Sequence, residues 1–231
     1  MRTINKLVVI LAVMNGTLVP LGAAENSVSV SIPGVEKIIG YLSGSKTQLA
    51  DVRVMDAALF TALAVQQAGL PADTTGATLR VKDTPASAFE YQAFVKWEVD
   101  VDPLFVAINV AHEGVHLVAR KKNLPYTSQE EARAMAAGLA VFQEALGKEA
   151  FKSLKKRLDK LVLAGDMGGG WQFVQATDAA ADALLVAANI ALTPRHKKEA
   201  SNLVLVMMND QDKLAVLLGQ SRVYGKLFSR N

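Results

Sequence analysis

The sequence predicts an α+β fold, mostly α, with a small β element just ahead of one nearly continuous apolar helix. Two observations carry this. Most of the chain places apolar residues at three- and four-residue intervals, in segments opened by Ser, Thr, Asp or Pro and closed by Gly or Pro. Strict alternation is concentrated in residues 93–101, where Phe94, Lys96, Glu98 and Asp100 interleave with Val95, Trp97, Val99 and Val101. No internal repeat interrupts this order.

The first residues read as an export signal. Arg2 and Lys6 give a positive start, residues 7–13 an apolar core, and Gly22, Ala23 and Ala24 small residues before Glu25. Cleavage is expected near Ala24, giving an exported protein, periplasmic or secreted, with a single mature domain over residues 25–231. The apolar core is shorter than the roughly 20 residues that a membrane span needs, and Asn15, Gly16 and Pro20 interrupt it. No stable span is therefore expected after signal removal. Losing Arg2 and Lys6, with no acid in the same segment, takes the formal charge from +3 to +1. A nearly neutral chain lacks the concentrated basic surface that phosphate binding requires, which argues against a nucleic-acid partner. Lys152, Lys155, Lys156, Arg157 and Lys160 read instead as one solvated helix face. The chain has no cysteine, so packing or a metal must do what disulfides do in many exported proteins.

Residues 25–31 alternate valine with polar residues, as a short strand or a frayed lead. Pro33 opens a short helix through Leu42, ended by Gly44. Residues 47–69 predict a helix from Leu49, Val52, Met55, Leu59, Leu63 and Val65, stopped at Gly69 and Pro71. Residues 71–89, rich in Pro, Thr, Asp, Gly and Ser, form the main loop region, with 78–82 as a strand-like island. The alternating strand over 93–101 reads as a half-buried core strand that can also offer an edge to an extended substrate. Asp102 then caps, and Pro103 starts, a helix running from Leu104 to about Lys122. It is apolar on nearly all sides, hence buried, and Arg120, Lys121 and Lys122 suit the negative end of its dipole. Residues 123–126 turn the chain, Ser128 caps a helix to about Leu146, and residues 148–163 form another with a basic outer face. The glycine-rich residues 166–171 lack the Lys-Ser/Thr ending and flanking strand of a phosphate loop, and read as a hinge or loop. Residues 178–192, 196–208 and 210–218 are helical, with the clearest break at Thr193-Pro194.

Within the apolar helix lies Ala111-His112-Glu113-Gly114-Val115-His116, an HExxH sequence. On a helix the two imidazoles stand four residues apart on one face and can close on a single divalent metal, with Glu113 beside them. A carboxylate there can take a proton from a water on that metal. The chain has only three histidines, and two are in this motif. Burying His112, Glu113 and His116 in an apolar helix is costly unless something binds them.

A catalytic zinc usually takes three protein ligands and keeps a fourth position for water. The metzincin continuation would need Gly and His where Ala119 and Lys122 stand, so that class is excluded. His196 lies in Pro194-Arg195-His196-Lys197-Lys198, whose cations argue for an exposed helix start. The stronger candidates are Glu131 and then Glu130, at the start of the next helix. Both also fit capping boxes, Ser128-x-x-Glu131 and Thr127-x-x-Glu130, so a pure capping role stays open.

Residues 103–138 resemble the gluzincins, HExxH metallopeptidases whose third ligand is a glutamate on a downstream helix, often in a Glu-x-x-Ala pattern. Glu131-Ala132-Arg133-Ala134 matches, and Gly138 falls where such families often keep a small residue. Several of them place Asp after that Ala, whereas this chain has Met135, so another group must orient the site. The resemblance implies a zincin-like domain in which Zn2+ is held by His112, His116 and Glu131, with Glu113 as general base in the hydrolysis of a peptide or protein substrate. Tyr126 and Tyr91 are candidates for stabilising the oxyanion. The alternative reading is a non-catalytic zinc-binding, or helical partner-binding, envelope protein.

Overall fold

A computed structural model describes residues 34–44, 52–81, 90–168 and 170–221. The export signal, the lead at 25–31 and Pro33 lie outside them. The fold is α+β and mostly helical, and its residues group into two units, divided after Leu124.

Among its described residues, the first unit holds three helices and a three-stranded sheet. Helix α1, Val35–Gly44, buries Ile38 and Leu42, one turn apart. Strand β1, Val52–Asp56, leads into helix α2, Ala57–Phe60, which runs on as a π-helical segment, Thr61–Gln67. Strands β2, Gly76–Val81, and β3, Glu90–Trp97, complete the sheet in the order β1-β3-β2. β3 runs parallel to β1 and antiparallel to β2. Ala93, Phe94 and Val95 are fully inaccessible in succession, so both faces of β3 are covered. Phe94 packs with Met55, Phe60, Ala64 and Ala77, and helix α3, Pro103–Lys121, packs against all three strands.

Three sequence expectations change here. Residues 52–56, expected to be helical, form β1. Their valines sit as well in a strand as in a helix, and pairing with β3 buries Val52 and Val54 almost completely. Helix begins only where Asp56 accepts hydrogen bonds from the Ala58 and Leu59 amides, at 2.8 and 3.1 Å. The alternating strand spans 90–97 rather than 93–101; beyond Trp97 the chain turns, leaving Val99 85 % exposed. β3 is also central, paired on both sides, so it has no edge to offer a substrate. Among the described residues, the edges of this sheet belong to β1 and β2.

The second unit holds helices α4, Ser128–Leu146; α5, Lys148–Leu158; α6, Asp178–Ala187; α7, Pro194–Met208; and α8, Gln211–Gln220. Ala132 on α4, Val206 on α7, and Leu214, Ala215 and Leu218 on α8 form one core cluster. Strands β4, Leu163–Gly168, and β5, Trp171–Gln175, form an antiparallel hairpin where a hinge or loop was expected, and α5 ends before 163. Gly168 and Gly170 take φ of 83° and 81° in the connection, a region open mainly to glycine. The buried Asn209 side chain fastens this hairpin. It accepts from the Val174 amide at 2.8 Å and donates to the Val174 and Leu205 carbonyls at 3.0 and 2.8 Å.

Candidate metal centre

Helix α3 starts where the Asp102 side chain accepts from the Leu104 amide at 2.9 Å, with Pro103 in the first turn. Its position on the sheet buries Glu113 and His116, which are 6 % and 7 % exposed, and leaves His112 half-buried. The two imidazoles meet edge to face, ring centroids 4.8 Å apart and planes inclined by 72°. Their Nε2 atoms face each other at 3.1 Å. Nitrogen ligands about 2.0–2.1 Å from a tetrahedral metal stand roughly 3.3–3.4 Å apart, so the pair is set close to the spacing of two ligands on one ion.

Helix α4 is capped by Thr127, whose hydroxyl accepts from the Glu130 amide at 3.2 Å, and not by Ser128 as expected. Thr127 is the residue with extended backbone, φ −134° and ψ 161°, so it takes the cap and Ser128 becomes the first helical residue. This one-residue shift leaves Glu130 at the capping-box position and moves Glu131 out of it. Glu131 is 2 % exposed, and its Oε2 accepts a hydrogen bond from the Tyr126 hydroxyl at 2.7 Å. Tyr126, one of the two candidates for stabilising an oxyanion, donates to this carboxylate and orients it. It supplies the polar partner that Met135 cannot.

Among the described residues, His112, His116 and Glu131 form a group able to hold a metal ion, their ligand-capable atoms all within 4.8 Å of one another. Two imidazoles and a carboxylate are a donor set for a divalent transition metal. His196 is not part of it. Against the sequence expectation it is buried, 5 % exposed, with Nδ1 donating to the Ala191 carbonyl at 2.8 Å. The cations around it left that burial unreadable, because α7 turns its first-turn histidine into the core while the neighbouring Lys198 stays exposed. Tyr91 lies on β3 opposite Arg80 of β2.

Two residues around Glu113 escaped the sequence reading. Thr78 on β2 donates its hydroxyl to Glu113 Oε2 at 2.9 Å. Gly76, two residues earlier, lies so close that a Cβ there would stand 2.7 Å from Glu113 Oε1. Gly76 falls in the expected loop just ahead of the strand-like island, where a glycine carries no sign of close approach, and nothing distinguished Thr78. Comparison with protein-family models, curated proteins and solved structures finds no match to this chain.

Proposed function

We propose that the protein is an exported zinc metallopeptidase of gluzincin-like design that hydrolyses peptide bonds. The observation that carries this reading is the His112, His116 and Glu131 group, with Glu113 on the same turn of α3 as the two imidazoles. Two histidines and a glutamate would hold Zn2+ with a fourth position left for water or substrate. Zinc bound there supplies a Lewis acid that polarises a carbonyl and lowers the pKa of water towards neutrality.

The chain's own residues do the rest. Glu113 accepts the proton of the attacking water as its oxygen bonds to the carbonyl carbon. It then delivers that proton to the amine nitrogen as the C–N bond breaks. The Tyr126 hydroxyl holds Glu131 in one orientation and limits its freedom to turn away.

The test begins with metal analysis of protein purified without added zinc, followed by zinc-dependent turnover of a peptide library. One equivalent of zinc and measurable cleavage are expected, with His112→Ala losing the metal. Glu113→Gln should keep zinc and lose hydrolysis by a factor of about 10² or more. Undiminished zinc-dependent cleavage by Glu113→Gln would sink the assignment. A wild-type protein that holds zinc but cleaves nothing would be the non-catalytic zinc-binding alternative, and iron in place of zinc would overturn the metal assigned.

A further inference from the structure

We propose that β2 is a positioning strand for Glu113, with Thr78 fixing the direction of its carboxylate and Gly76 providing the space that it occupies. The proposal rests on the role given to Glu113 above. Residues two apart on a strand share a face, so 76 and 78 address the same side chain. At 78 the hydroxyl donates to Oε2 at 2.9 Å. At 76 a Cβ would meet Oε1 at 2.7 Å, Cγ at 2.8 Å and Cδ at 3.0 Å. One residue binds the carboxylate, and the other admits it by having no side chain.

The arrangement is built into the sheet. Antiparallel pairing sets Gly76 opposite Val95 and Thr78 opposite Ala93, and α3 packs on both strands. The register that places β2 on the sheet therefore also places its hydroxyl at Glu113. A carboxylate offers about four lone-pair sites, and the hydrogen bond from Thr78 occupies one of them. A base must be held in reach of that proton, and a displacement of about 1 Å can cost roughly 10²-fold in rate. The atoms that a Gly76 side chain would meet are the end of the Glu113 side chain, so Gly76→Ala should turn the carboxylate aside and leave the backbone in place.

The experiment uses the full chain, with Thr78→Val, Thr78→Ser and Gly76→Ala. With zinc, Thr78→Val and Gly76→Ala should each lower kcat by about 10- to 100-fold. KM, and zinc affinity measured by chelator competition, should stay near the unaltered protein. Thr78→Ser should restore most of kcat, which a merely structural loss would not predict. A second readout needs no activity: in metal-free protein, the urea-midpoint shifts of Thr78→Val and Glu113→Ala should combine to less than their sum in the double variant. Unchanged kcat in Thr78→Val, or additive midpoint shifts, would overturn the proposal. Absence of hydrolysis in the unaltered protein would count against the peptidase reading, while the urea cycle would still decide whether Thr78 holds Glu113.

Discussion

Glu131 shows how much one hydroxyl can decide. A carboxyl group 2 % exposed is expensive to bury unless it is paired, and Tyr126 gives it a hydrogen bond at 2.7 Å. Removing that donor with Tyr126→Phe should lower zinc affinity by roughly 10-fold, the low end of what loss of a partner behind a metal ligand costs. Chelator competition measures it, and an unchanged affinity would show that the hydroxyl does not orient the ligand. Tyr41 makes a different prediction. Burial first, and then the negative charge of Asp102, hold its hydroxyl above the ordinary value of 10.0. The unfolded chain therefore loses that proton before the folded one does. The stability tied to it is whole below pH 10 and is lost as pH rises through the folded value. Denaturant titrations on either side of pH 10 should show a smaller alkaline loss in Tyr41→Phe than in the unaltered protein.

The elements that present the candidate site are held at their ends. Asp102 caps α3 and Thr127 caps α4. Asp102→Ala should cost about 1 kcal/mol in chemical denaturation, with Thr127→Ala similar. The hairpin of β4 and β5 depends on Asn209, which satisfies both the amide and the carbonyl of Val174. Asn209→Leu leaves those groups unpaired, at a cost of about 1–3 kcal/mol. Faster amide exchange at Val174 than in the unaltered protein would locate the loss. The boundaries of α3 and, to within one residue at its cap, α4 were legible because caps, Pro103 and the turn at Asn123 act locally. The strand β1 was not. Val52 and Met55 fit a helical spacing with Leu59, and only pairing with β3 made the extended form the better burial.

For the molecule as a whole, a ligand that binds the folded chain and not the unfolded one must stabilise it. Zinc at about 100 times its Kd should add roughly 2.7 kcal/mol, raising Tm in calorimetry, and a chelator should reverse the shift. His112→Ala should show no zinc-dependent shift; a full shift in that variant would place the ion elsewhere. The sequence by itself determined the mostly helical α+β class, helix α3 with its cap, and the pairing of His112 with His116 around Glu113. Each of these depends on residues within a few positions of one another, where helical period and capping chemistry are sufficient. Tertiary structure decided what depends on distant residues meeting: the central place of β3, the burial of His196, and the approach of Thr78 and Gly76 to a glutamate more than thirty residues away. No periodicity encodes such a contact, because strand register and the seating of a helix on a sheet arise only when the whole core packs at once.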